Sequence, residues 1–140
     1  MYNFLQHAHS GWAYIVLIVL FFTVLNAVMS TANAKAFSDK DRKLALFALI
    51  ASHVQLLLGL VLWFVSPIGK AALSQMQDAS LRLTALEHPL TNIIAIVLIT
   101  IGWSRHKKMT DSGAIFKNFL LFYGLGLVLI LTRIPWQLWF

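Results

Sequence analysis

"LALFALIASHVQLLLGLVLWFV", residues 44–65, runs its whole length without a formal charge, and Ser66-Pro67 closes it. About 20 mostly apolar residues in a helix cross the hydrocarbon core of a bilayer. Three further runs flank this one. They are "GWAYIVLIVLFFTVLNAVM" at 11–29, "PLTNIIAIVLITIGW" at 89–103 and "FLLFYGLGLVLILT" at 119–132. The third is extended upstream by "ASLRLTALEH", and the fourth has apolar shoulders. The reading is an all-α membrane protein, a single four-helix transmembrane bundle over 1–140. Its spans are expected at about 10–32, 43–66, 86–104 and 114–134. A helix satisfies its own backbone hydrogen bonds in lipid, which open strands cannot do.

Composition agrees. Of 140 residues, 59% are hydrophobic and 11% charged, and mean hydropathy is +0.77. A soluble domain of this size cannot bury that much apolar surface. The formal charge of +6 is concentrated in two connections. One holds Lys35, Lys40, Arg42 and Lys43, and the other Arg105, Lys107, Lys108 and Lys117. The connection between them offsets Lys70 and Arg82 with Asp78 and Glu87. The positive-inside rule then places both basic connections in the cytoplasm and both termini on the outer side of a multi-pass protein, the periplasmic side if the membrane is a bacterial inner one. The same pattern accounts for the net charge without nucleic acid as a partner. Trp12, Trp63, Trp136 and Trp139 fall at the expected outer level and Trp103 at the inner one, as in an aromatic belt. The first run has no Lys or Arg before it and is too long for a signal-peptide core, so it is read as a span.

The absence of cysteine removes disulfides, thiolate metal sites and covalently attached c-type haem. No Gly-rich phosphate loop, serine nucleophile elbow, HExxH motif or intraspan pair of acids is present. An electron carrier or redox subunit fits such a chain better than a stand-alone enzyme.

Ionisable residues within spans are costly and therefore mark candidate sites. They are His7, His9, His53, Glu87, His88 and Arg133. His9, His88 and Arg133 fall at the outer ends of spans one, three and four. His53 is ten residues into span two, about 15 Å along its axis. Helical steps from His9 reach Ala13, Val16, Leu20, Thr23 and Ala27; steps from His88 reach Asn92, Ala95, Ile99 and Gly102. These stripes are small or polar and belong against other helices or a cofactor. Gly124 and Gly126 permit close approach on span four. Bundles build cofactor sites from facing helices, and haem iron accepts histidine. His9 with His88 is the preferred axial pair on depth, and His53 with His88 the alternative. Arg133 is the candidate partner of a haem propionate. His53 is equally readable as a core histidine bonded to a neighbouring helix. His7 reads as an interface residue, and His106, within "SRHKK", as loop charge. Zinc held by His7, His9, His88 and Glu87 is a weaker option.

"HSG" at the head of span one, "KLALFALIASHVQLLLGLVLWFVSP", "EHPLTNIIAIVLITIGWSRHKK" and the closing "RIPW" resemble a family of small four-span Bacteroidetes proteins described as cytochrome b-like. The resemblance covers nearly the whole chain. It implies haem b as cofactor, with His9, His53, His88 and Arg133 at the matching positions. This chain has Trp12-Ala13-Tyr14 where the family is expected to carry an arginine, so that arginine has no counterpart here. "HVQLLLG" also bears a short likeness to the four-helix half of haem A synthases. The expected function is electron transfer in the lipid bilayer through bis-histidine haem b, with a quinol or other membrane-complex subunits as partners. The alternatives are a haem-free accessory subunit of a larger complex and an outer-face metal-binding protein.

Overall fold

The computed structural model describes residues 1–139. Four helices are long and apolar enough to cross a membrane: α1, Tyr2–Ala32; α2, Asp39–Val65; α3, Ala79–His106; and α4, Ser112–Thr132. No strand occurs among the described residues. Consecutive helices pack side by side, and α1 also packs on α4, closing a ring in which α1 faces α3 diagonally. Both chain ends lie at one end of this bundle, where Tyr14 meets the Trp139 ring at 4.7 Å.

Helix α1 begins eight residues ahead of its expected span, while α3 begins at Ala79, the first residue of the upstream extension read for the third run. Polar side chains do not end a helix whose backbone can keep bonding. Capping residues end it. Ser38 and Asp41 form a reciprocal capping box that starts α2, Asp111 caps α4 through Ala114 N–H, and Asp78 accepts from Ser80 and Leu81 at the start of α3. The consequence for the site is direct. His9 lies inside α1 rather than ahead of it.

Pro89 leaves a visible mark. Helix α3 contains a π turn at Leu83–Glu87, immediately before His88 and Pro89. Proline has no N–H to give to the carbonyl four residues back, which is that of Ala85. The Trp63 indole N–H donates to this carbonyl instead, at 2.8 Å. Trp63→Phe is expected to destabilise the bundle by about 1–2 kcal/mol, measurable by unfolding in mixed micelles.

Burial follows the stripes read from the sequence. Val16, Leu20, Thr23 and Ala27 of α1 turn inward, as do Ala95, Ile99 and Gly102 of α3. Ala45, Ala48 and Ala51 complete a core of small residues, while Phe21, Phe22, Phe47, Leu57, Phe64, Val97 and Leu125 point outward. This inverse distribution is what lipid favours, since helices gain from close packing and large side chains are solvated by lipid tails. Gly126 permits one such approach: a Cβ there would stand 2.7 Å from Ile99. Gly124 faces open space.

The two ends differ. At the end away from the termini, Phe37, Phe116, Phe119 and Tyr123 form a packed aromatic plug. The Tyr123 hydroxyl crosses it to the Ala45 carbonyl at 2.9 Å. His106, read from the sequence as loop charge, belongs to this plug. It is 2% exposed, lies against Trp103 and Phe119, and bonds through Nδ1 to the Trp103 carbonyl. Placing it at the helix C-terminus, where it turns back over its own last turn, buries it despite its basic neighbours. The end that carries the termini is hollow.

Candidate cofactor site in the hollow end of the bundle

A cavity of about 170 Å³ occupies that end, lined by all four helices and by Ile134–Pro135 beyond α4. Its walls are mostly apolar. Its polar lining includes His9 and Ser10 of α1, Gln55 of α2, and His88 and Asn92 of α3.

His9 and His88 project from the diagonal pair of helices. Their ring centres stand 6.1 Å apart with the ring planes at 88°. Metal–nitrogen bonds are about 2 Å, and each nitrogen lies roughly 1 Å from its ring centre, so two imidazoles on opposite sides of one ion stand about 6 Å apart. The separation here is of that size.

His88 is held firmly. Its Nδ1 lies 2.9 Å from the Arg133 carbonyl. A carbonyl only accepts, so this contact favours a proton on Nδ1 and a lone pair on Nε2, although the Asn92 amide nitrogen also lies 3.2 Å from Nδ1. Asn92, one turn on, donates to the His88 carbonyl at 2.7 Å. His9 is held less completely. Gln55 Nε2 donates to its carbonyl at 3.0 Å and lies 3.4 Å from its Nε2. His9 Nδ1 and Gln55 Oε1 are buried with no hydrogen-bond partner among the described residues. Gly59 makes room for the ring: a Cβ there would sit 2.9 Å from His9 Cε1. Gln55 and Gly59 are four residues apart and therefore share a helix face. That spacing puts the two on one face, but only contact with His9 on another helix gives the face its role.

The other predicted residues are placed elsewhere. His53 is exposed on the outside of the bundle and is absent from the cavity wall. Its Nδ1 bonds the Leu49 carbonyl at 2.8 Å, and its Nε2 lies 3.4 Å from Thr100 Oγ1. Arg133 reaches the rim, where its Nε pairs with Glu87 at 3.4 Å. Glu87 also receives Arg82 at 3.0 Å. The backbone of Arg133, rather than its guanidinium, touches the histidine pair. His7 is exposed. Among the described residues no group of three or more His, Asp or Glu is arranged to hold a metal ion, so the set of His7, His9, His88 and Glu87 is not assembled.

No family model, curated protein or solved structure matches this chain.

Proposed function

We propose that this is a b-type haem protein of a bacterial inner membrane, with both termini periplasmic, that carries electrons. In this reading His9 and His88 would hold the haem iron. The observation that supports it is the pair of imidazoles with ring centres 6.1 Å apart, edge to face, on diagonal helices, one of them with its Nδ1 directed at a backbone carbonyl. Metal-ligating histidines characteristically donate their second N–H in this way, which fixes the ring and raises its basicity.

Bound haem would supply a one-electron iron couple. The rest is the work of the chain. The Arg133 carbonyl orients His88, Gly59 leaves space for the His9 ring, and the apolar wall keeps water from the centre. His9 is free to turn because its contact with Gln55 at 3.4 Å is weak. The void of about 170 Å³ is smaller than the roughly 300–1,000 Å³ of pockets that enclose larger organic ligands. A porphyrin on these imidazoles therefore requires the side chains of Leu56, Leu60 or Trp63, or the segment after α4, to move outward. Pairing of Arg133 with a propionate requires exchange with Glu87. The electron partners in this reading are a quinol or another membrane-complex subunit.

A haem-free accessory subunit is the second reading. It is favoured by the bond of His88 to Arg133, which already gives that imidazole a structural task. Haem content separates the two. Protein purified from cells supplied with iron and haem precursor is expected to carry one haem b per chain by the pyridine haemochrome assay. Absence of haem from folded protein would leave the accessory reading. Gly59→Ala sharpens the assignment: the added methyl meets only the far end of His9, so stability should fall by about 1 kcal/mol or less. Haem affinity should fall by a larger factor, as spectral titration compared with thermal unfolding would show.

A further inference from the structure

Residues 133–139 continue past α4 and run across the hollow end of the bundle. Arg133 is still tied to the helix, its N–H donating to the Ile130 carbonyl at 3.3 Å. Pro135 cannot continue a helix and disfavours helical backbone at Ile134. The backbone bonds that follow stay inside the segment. Trp136 N–H donates to Ile134, Leu138 N–H to Pro135 and Trp139 N–H to Trp136, at 2.9, 2.9 and 3.1 Å. Ties to the other helices lie at the two ends of the segment. At its start the His88 ring meets the Arg133 carbonyl, and the Arg133 side chain pairs with Glu87. At its far end Trp139 stacks on Tyr14 of α1.

Ile134, Pro135 and Leu138 form part of the cavity wall. The same three residues, with Thr84 of α3, also line a second void of about 150 Å³ that reaches Ser80 and Leu83. The segment is thus a thin partition between two empty spaces. Protein interiors are close-packed, so a wall moves readily only where there is room to receive it, and here there is. The partition is also lightly packed on its outer side, with Trp136 43% and Leu138 50% exposed. Tyr14 is 46% exposed, so the far anchor sits at the surface. The Arg133–Glu87 pair is half exposed and holds the near end only weakly.

We infer that residues 133–139 are the gate of the cavity. The segment pivots at Arg133 and Ile134, Trp139 leaves Tyr14, and the partition swings into the second void, opening a mouth beside α1. The Arg133 carbonyl lies at the pivot, so opening also loosens the His88 ring. The gate controls passage between the outer face and the histidine-lined cavity. It does not depend on haem being the occupant.

The test uses the full chain, haem-free, in lipid nanodiscs, so that its outcome is separate from that of the haem reading. Diethyl pyrocarbonate, which acylates imidazole nitrogen, is the probe, and peptide mass spectrometry reads each histidine. The chain has no cysteine, so Tyr14→Cys with Trp139→Cys supplies the only two thiols. A short bis-maleimide with a reducible linker joins them and holds the gate shut. Linking is expected to slow acylation of His9 and His88 by about tenfold or more, because access then waits on a local opening that the linker forbids. The exposed His7 should react as before, and cutting the linker should restore the rate in the same protein. Ser80→Trp, which fills the second void from an exposed position, should slow the same two histidines without any linker. Equal rates with the linker intact and cut would show that the cavity is entered elsewhere and overturn the gate. A rate unchanged by Ser80→Trp would overturn the swing into the second void. Failure of His9 and His88 to react in the unmodified chain, while His7 does, would show that the segment stays shut.

Discussion

Replacing His88 with alanine is expected to abolish the low-spin haem spectrum and to weaken haem retention by more than about 100-fold. Loss of a residue that merely supports a metal ligand already costs about 10- to 100-fold, and in the proposed haem reading His88 is itself a ligand. The change also deletes the bond to the Arg133 carbonyl, so some loss of stability accompanies it. His9→Ala separates the two effects, because His9 makes no side-chain bond of comparable strength. Both variants should lose the six-coordinate spectrum. His53→Leu and His7→Ala should keep it, since neither side chain reaches the cavity wall. Reduced-minus-oxidised spectra of the four variants decide the matter. An unchanged spectrum in His9→Ala would remove His9 from the site.

Asp41→Ala should produce the largest loss of stability, about 2–4 kcal/mol. Asp41 is 5% exposed and serves four groups. It accepts from Ser38 N–H and from Ser38 Oγ, at 2.9 and 2.7 Å, from Asn26 of α1 at 2.9 Å and from Lys35 at 2.8 Å. One carboxylate thus starts α2, ties it to α1 and anchors the connection between them. Lys35 is half exposed, and its share is screened by solvent. Asn26 would be left partly buried with its amide unpaired, and that dominates the cost. Unfolding in mixed micelles, followed by circular dichroism, measures the change. Asp41→Asn should recover part of it, since the amide oxygen still caps the helix while the ion pair is lost.

Much of the architecture was legible because lipid imposes simple rules. Four long apolar runs, each needing internal hydrogen bonds, leave a helical bundle as the economical arrangement. The small and polar stripes beginning at His9 and His88 gave the inward faces, because helix packing in lipid selects small residues. The start of α1 was not legible from hydropathy, because its polar first turns carry no side-chain cap to mark it, whereas the extension of α3 back to Ala79 was. The bond from Trp63 to Ala85 lies between residues 22 positions apart, and no local pattern encodes it. His106 was misjudged, and His53 was left between a haem ligand and a histidine bonded to a neighbouring helix. His106 has basic neighbours, yet its ring folds back into the aromatic plug. His53 sits in a leucine-rich run, yet its face is turned outward. Depth could be counted along the chain, but rotation about the helix axis depends on packing against neighbours. The role of Gln55 and Gly59 was hidden similarly, because it exists only through contact with His9 on another helix.

The central claim is that His9 and His88 hold one iron between them. Electron paramagnetic resonance of the oxidised, full-length protein in nanodiscs tests it most directly. Two imidazoles on one iron predict a low-spin ferric signal, lost in both His9→Ala and His88→Ala. A high-spin signal in the unmodified protein, or a low-spin signal that survives either substitution, would contradict the account.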